Sequence, residues 1–351
     1  MTTLKTVYLY LTNACNLKCQ HCWIIPGEEA KIKNDYLEIE LFEKVLTQAK
    51  QAGAFRIKLT GGEPLLHPKI YKILERIREE EFRLAVETNG TLVNEKMTEE
   101  LVKCNPFVAI SLDAADANLH DKIRGVQGAF KKTVNGIKNL VSNGIKPQII
   151  FTLMKENSNQ VEKIAKLAER LGASSLKINV LQRVARAEKL YEGGQALTVE
   201  EYMELGKKIY GEITKSAKIK IFYDVPMAFQ PVTKIYQGES CGLCGICSII
   251  GVLANGSYAL CGIGEHIPEL VFGNVKNDKL ADIWKNNKTI QKIQNDLVDN
   301  LQGICSSCLF KSACLGKCLA QNYYDSKNLF ASYWFCEQAH EKGLFPVNRK
   351  L

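Results

Sequence analysis

Strand-like and helix-like segments alternate six times in the first two-thirds of the chain, and no other feature limits the fold as much. Residues 6–12, 55–60, 83–88, 108–113, 147–153 and 176–181 are short, apolar and rich in β-branched residues, the pattern of strands. Between them lie amphipathic repeats. Over residues 38–51, Ile39, Phe42, Leu46 and Ala49 recur at steps of three and four with Gly53 as a stop, and residues 161–171 end in the same way at Gly172. Strands each followed by a helix form a parallel sheet with right-handed crossovers. Six such units cannot close an eight-unit barrel. The expected fold is therefore α/β, a partial (β/α)6 TIM-like barrel with a lateral opening through which a bulky substrate can enter.

A helix over 198–214 ends this half, and residues 219–231 read as an extended bridge. Beyond the bridge the periodicity is lost. The remainder reads as short hairpins around Asn255-Gly256, one helix from Leu280 to about Leu301, and cysteine-bearing loops. The expected division is a barrel over 1–216, a bridge over 217–235 and a second domain over 236–351. The second domain has a small core, so metal ligation must supply much of its folding free energy.

Eleven of the thirteen cysteines fall into two groups. Cys15, Cys19 and Cys22 follow the first strand as CxxxCxxC. Cys241, Cys247, Cys261, Cys305, Cys308, Cys314, Cys318 and Cys336 lie in the C-terminal part. The chain opens without a basic-then-apolar leader and has no apolar run long enough to span a membrane, which points to a cytoplasmic protein. Thiols there stay reduced, which argues against a disulfide framework. The pair Cys305/Cys308 alone fits zinc as well as iron. Three thiolates with no fourth nearby leave one metal position open, the usual sign of a metal that binds substrate. Cys104, at an expected helix end, reads as a buried apolar thiol. The formal charge of +8 comes largely from lysines on outer helix faces such as Lys163 and Lys166. It brings no nucleic-acid motif with it.

The triplet, followed by Gly61-Gly62-Glu63-Pro64 at the end of the second strand, resembles the radical S-adenosylmethionine (radical SAM) superfamily. The array Cys305-x2-Cys308-x5-Cys314-x3-Cys318-x17-Cys336, with Gly256-x4-Cys261 upstream, resembles the SPASM domain, the auxiliary-cluster module of radical enzymes that modify peptides and proteins. Together the resemblances span nearly the whole chain. They imply three [4Fe–4S] clusters and S-adenosylmethionine. One cluster would sit on Cys15, Cys19 and Cys22. A second would take Cys241, Cys247, Cys261 and Cys318, and a third Cys305, Cys308, Cys314 and Cys336. Cys244, midway between Cys241 and Cys247, is either a ligand, a hydrogen-atom donor or a bystander. The cofactor would be held by Gly61, Gly62, Glu63 and Pro64, with His21 beside its adenine and Ser111 and Arg124 on its ribose or carboxylate. Asn89 is a further contact or a turn former, as is Asp113, and Arg183 and Arg186 either line the mouth or face solvent.

The resemblance implies a radical SAM oxidoreductase. The chain looks most like peptide maturases from small peptide-modification cassettes, which form thioether or carbon–carbon crosslinks. A peptide epimerase, a formylglycine-generating sulfatase maturase and a heme or quinone cofactor enzyme are the alternatives. An iron–sulfur electron carrier without radical chemistry belongs to a different class. Sulfatase maturases commonly carry an aspartate base after the third ligand of the first auxiliary cluster; Gly262 stands there, leaving Asp113 and Asp224 as substitute bases and Cys244 as a donor. The expected partners are a peptide substrate and an electron donor such as flavodoxin or ferredoxin, with neither nucleic acid nor membrane. The triplet starts too early for a leader-binding module to precede it, so a leader would be read by a separate protein or by the barrel–SPASM interface.

Overall fold

The computed structural model describes residues 2–24, 36–238 and 244–351. Seven strands form a parallel run in chain order: β1 (Thr6–Tyr10), β2 (Arg56–Thr60), β3 (Arg83–Thr88), β4 (Phe107–Ser111), β5 (Gln148–Leu153), β6 (Ser175–Val180) and β7 (Lys220–Asp224). The crossovers carry α1 (Ile39–Gln51), α2 (Ile70–Glu79), α3 (Glu95–Cys104), α4 (Ala117–Arg124), α5 (Ala129–Ser142) and α6 (Val161–Arg170), and β6 is followed by α7 (Arg186–Glu192) and α8 (Val199–Lys208). The six expected strands are all present within a residue or two.

The sheet does not end with the barrel. From the C-terminal part, β8 (Ile249–Val252) pairs parallel to β1 on the opposite edge, and β9 (Ser257–Ala259) and β10 (Val271–Asn274) follow antiparallel. The result is one open ten-stranded sheet running from β10 to β7. The bridge supplies β7, so the sheet is continuous through both boundaries expected from the sequence.

The strands alternate in burial, and this makes the site possible. On one face Val7, Leu9, Ile57, Leu59, Leu84, Val86, Ile149 and Phe151 are buried beneath the helices. The other face carries Tyr8, Lys58, Glu87, Ser111, Thr152 and Lys177, all partly or fully exposed. A closed TIM barrel fills its interior with branched apolar side chains. Here the concave face is polar and leaves a chamber.

Two helices differ from expectation. The one over 280–301 is three short helices, Leu280–Asn286, Lys288–Asn295 and Leu297–Asn300. The break comes from Asn287, whose side chain accepts the N–H groups of Thr289 and Ile290 and so caps a new helix start. After α8 the chain widens into a π-turn, Ile209–Ile213, before Thr214–Ser216. Among the described residues no helix is long and apolar enough to cross a membrane.

Candidate active site and metal centres

The loop carrying Cys15, Cys19 and Cys22 runs across the carboxyl ends of the strands, the end at which barrel enzymes place their chemistry. Backbone hydrogen bonds clamp it on three sides. Thr12 and Ala14 carbonyls accept from the N–H groups of Gly62 (2.6 Å) and Glu63 (2.8 Å). Lys18 and Gln20 donate to the carbonyls of Arg124 and Ile123 at the end of α4. Arg186, at the start of α7, donates its N–H to the Cys22 carbonyl and its Nη1 to the Cys19 carbonyl. Arg186 is therefore a brace of the triplet and not a solvent-facing charge, while Arg183 lies over the Tyr191 ring.

The glycines of the Gly61-Gly62-Glu63-Pro64 turn are required by this packing. A Cβ on Gly62 would fall 2.1 Å from the Ala14 carbonyl oxygen, and one on Gly61, where φ is +123°, 2.5 Å from that of Thr12. Pro64 opens the 3-10 turn Pro64–Leu66, which Glu63 caps through the Leu65 N–H. The Glu63 carboxylate is fully buried and also accepts from Thr88 Oγ1 (2.7 Å) and the Asn89 N–H (2.8 Å). Burial pushes its carboxyl up to about 7 against the pull of these donors and of Arg124. Asn89 is a turn former and a contact at once. Its Oδ1 accepts from Thr91, while its Nδ2 donates to Asn16 at 2.9 Å and lies 3.9 Å from the Cys15 sulfur.

Asp113 and Arg124 form a fully buried ion pair, Nη2 to Oδ2 at 2.7 Å. Arg124 also donates through Nη1 to the Cys19 sulfur at 3.5 Å. Asp113 Oδ1 accepts from the Thr152 N–H, its own N–H donates to His120 Nδ1, and its carbonyl accepts from Asn157. His21 Nε2 lies 3.5 Å from Asp113 Oδ2. Burial pushes the His21 imidazole down to about 4, so it is neutral at pH 7. Arg124 and His21 hold the Asp113 carboxyl below the usual aspartate range despite burial. Asp224 is likewise paired, with Lys317 and with Lys177 at 3.1 Å, and is held at about 2 against burial. Both candidate bases are thus ionised partners of buried cations. Ser111 ends β4 beside Ile150 of β5, part-way buried at the mouth.

The C-terminal thiols fall into two groups. Cys305, Cys308, Cys314 and Cys336 line one small void walled by Pro226, Leu301 and Phe345. Cys318 leaves them because Leu315, Gly316 and Lys317 all take left-handed φ, turning the chain away. It lies instead within electrostatic reach of Cys244 and Cys261. Cys247 points elsewhere, its sulfur 3.8 Å from the Ile293 carbonyl. Cys241 lies outside the described residues. Cys104 is half-buried and donates to the Leu74 carbonyl.

These surroundings fit the implied groups. Cys15, Cys19 and Cys22 share an apolar pocket with Leu17, Val126 and Ala129. Around them three buried polar atoms, Asn13 Oδ1, His21 Nδ1 and Arg124 Nε, have no hydrogen-bond partner among the described residues. Burial pushes Cys15 and Cys244 up to about 12, so metal loading there must release protons. Among the described residues no three Cys, His, Asp or Glu side chains crowd together as ligands of a single ion would. Gly262 has no room for a side chain, since a Cβ would fall 2.1 Å from the Trp23 ring and 2.3 Å from that of Tyr10. Sequence reasoning missed His120, Asn157, Thr88 and Asn16. These are ordinary polar residues, and only the fold brings them to Asp113, Glu63 and Asn89.

Residues 9–168 match the Radical SAM superfamily and residues 230–309 the SPASM iron–sulfur cluster-binding domain. The chain is 27% identical over 329 residues to an AdoMet-dependent heme synthase of Methanosarcina barkeri, covering 89% of this chain and 90% of that protein. It is 28% identical over 328 residues to the antilisterial bacteriocin subtilosin biosynthesis protein AlbA of Bacillus subtilis, covering 91% and 69%. Its fold is shared by SuiB of Streptococcus suis. The structures of SuiB bound to S-adenosylmethionine and to precursor peptide SuiA both superpose with TM-score 0.76, at 18% and 17% identity, over 95% of this chain and 78% and 76% of theirs. The two domains imply S-adenosylmethionine and [4Fe–4S] clusters as cofactors. The chain is an enzyme of the radical SAM superfamily, a partial barrel joined to a SPASM domain.

Proposed function

We propose that this enzyme oxidatively modifies a ribosomally made peptide, forming a thioether or carbon–carbon crosslink. The observation that carries the reading is the pair of thiol groups in the SPASM domain, additional to the open triplet. When bound, S-adenosylmethionine and its cluster supply a 5′-deoxyadenosyl radical that takes hydrogen from an unreactive carbon. A crosslink removes two hydrogens from the substrate. One leaves as a hydrogen atom, the other as a proton and an electron, and that electron needs an outlet such as the SPASM thiolates would hold. An epimerase exports no electron. Gly262, walled in by Trp23 and Tyr10, leaves no space for a carboxylate base at the position where sulfatase maturases carry one.

In this reading Cys15, Cys19 and Cys22 hold the cofactor cluster. Arg186 and the Gly61–Gly62 backbone fix their loop, and Arg124, anchored by Asp113, presents its remaining N–H groups beside Cys19. Glu63, Asn89, Pro64, Ser111 and His21 shape the pocket of S-adenosylmethionine. Cys305, Cys308, Cys314 and Cys336 hold one auxiliary cluster. For the other, with Cys241, Cys261 and Cys318, the packing favours Cys244 over Cys247. Cys244→Ser is then expected to lose about four iron atoms per chain and Cys247→Ser none, measured by iron and sulfide analysis after anaerobic reconstitution. A flavodoxin or ferredoxin would supply electrons, a separate protein would present any leader, and the reduced cytoplasm would preserve the clusters.

The heme-synthase relatives favour a second reading, oxidation of a carboxylate-bearing tetrapyrrole. One experiment separates the two: anaerobic turnover in deuterated water with candidate precursor peptides drawn from short reading frames near the gene and, in parallel, iron coproporphyrin III. Loss of two hydrogens per event from the peptide supports crosslinking. Gain of one deuterium at carbon means epimerisation. An unchanged peptide with an oxidised porphyrin overturns the peptide reading.

A further inference from the structure

A cavity of about 770 Å³ opens at the amino ends of β1–β4, opposite to the mouth that holds the cysteine triplet. Its inner wall is the concave sheet face, with Tyr8, Lys58, Ala85 and Glu87. Its rim carries Arg56, Arg78, Arg83 and Glu81 with the half-exposed ring of Phe107. Lys58 is satisfied within the wall, ion-paired with Glu87 and lying over the Tyr8 ring. The rim arginines are not. Among the described residues none of the three makes an ion pair, and neither does Glu81.

Arg56 and Arg83 are direct Cα partners on β2 and β3. Like charges facing each other across neighbouring strands are destabilising. Ordinary sheets place an opposite charge or a neutral residue there. This pair is instead held ready by an aromatic ring, since Phe55 lies 5.5 Å from the Arg56 guanidinium carbon and 5.7 Å from that of Arg83. Two arginines on paired positions of neighbouring strands, at the edge of one cavity, match an oxyanion that accepts from both.

We propose that Arg56 and Arg83 form a carboxylate-binding site at the amino-end mouth of the chamber and anchor an acidic group of the substrate there. The proposal rests on the chamber being the substrate cavity of the enzyme described above. Thr60, at the far end of β2, lies four residue steps beyond Arg56, about 13 Å of strand. The anchored group would thus sit well away from the reacting carbon, so its binding energy serves orientation and not the chemistry itself. An acidic side chain of a peptide and a propionate of a tetrapyrrole offer the same carboxylate, and the test distinguishes them.

The reconstituted holoenzyme is titrated anaerobically, by tryptophan fluorescence, with iron coproporphyrin III, its methyl ester, an acetylated hexaglutamate peptide and the amidated (hexaglutamine) counterpart. The expected result is binding of one acidic probe, loss of binding by its neutral counterpart, and a Kd at least tenfold weaker in Arg56→Gln/Arg83→Gln. Lys163→Gln/Lys166→Gln, which removes equal charge from the outer face of α6, should leave Kd unchanged. Binding of the porphyrin alone assigns the site to a tetrapyrrole carboxylate, and binding of the peptide alone to an acidic side chain. Binding of neither probe, or equal binding by the double variant, overturns the proposal. Production of 5′-deoxyadenosine is followed separately. Its absence in the wild type both without probe and with either acidic probe added would defeat the proposed reaction, whereas its persistence in the double variant beside weakened binding isolates the effect to the arginines.

Discussion

Cys19→Ala is expected to reduce 5′-deoxyadenosine formation to background and to lower iron by about four atoms per chain, with Cys15→Ala and Cys22→Ala behaving alike. The reason is geometric as well as chemical. Cys19 is the most buried of the three thiols, at 8% exposure, and receives the Arg124 guanidinium at 3.5 Å. Its other neighbours are the apolar Leu17, Val126 and Ala129 and the cationic Arg186, none of which can replace the lost sulfur. Cys104→Ala is the matched control, because that thiol ends α3 beside the amino-end cavity, opposite to the triplet, and donates to the Leu74 carbonyl. Chromatographic assay of 5′-deoxyadenosine, iron analysis and the low-temperature EPR signal of the reduced protein read the outcome. Wild-type turnover by Cys19→Ala would sink the assignment of the triplet.

Asp113→Leu is expected to destabilise the fold by about 3–5 kcal/mol, because it leaves Arg124 buried without its countercharge. Arg124→Met should cost a similar amount by stranding Asp113. The double variant should recover part of the loss, since an apolar pair of similar volume is far better tolerated than a single buried charge. Denaturant melts of the four proteins close the cycle, and purely additive losses would show that the two residues do not act as a pair. The pH dependence follows from the same geometry. The folded pKa of Asp113 lies below its ordinary 3.8, so the pair's stabilisation is fully present above 3.8 and is lost as pH falls through the folded value. Between pH 5 and 8 the contribution of Asp113 should be flat.

The Asp113–Arg124 ion pair is relayed to the cysteine triplet. Asp113 sits on the strand-end loop after β4, Arg124 ends α4, and the triplet loop hydrogen-bonds to the carbonyls of Ile123 and Arg124. A change at Asp113 therefore reaches Cys19 through one side chain and one length of backbone. Asp121 adds to this rigidity by accepting the N–H groups of Gly128 and Phe130 and so capping the start of α5. The SPASM domain bears on the same loop from the other side, where His266 Nε2 meets the Trp23 carbonyl at 2.7 Å. The triplet is thus held by both halves of the molecule.

The sequence by itself determined the strand order of the barrel, the cysteine triplet after β1 and the cysteine-rich C-terminal part, because each depends on spacing along the chain. Period-two burial marks a strand and period-three-to-four a helix whatever lies beside them. Ligand spacing in a short loop is likewise local. Only the tertiary structure decided what the polar residues do. Gly61 and Gly62 look like a ligand-binding turn, but their missing Cβ atoms make room for the Thr12 and Ala14 carbonyls. Asp113 and Asp224 look like free bases, yet partners 11 and 93 residues away neutralise them. The exit of Cys318 from its neighbours depends on three consecutive left-handed residues, two of them not glycine. Arg56 and Arg83 are unremarkable in the chain and become a pair only through the β2–β3 register. Charges and hydrogen bonds act through space over a few ångströms, and the folded chain alone sets which groups come within that range.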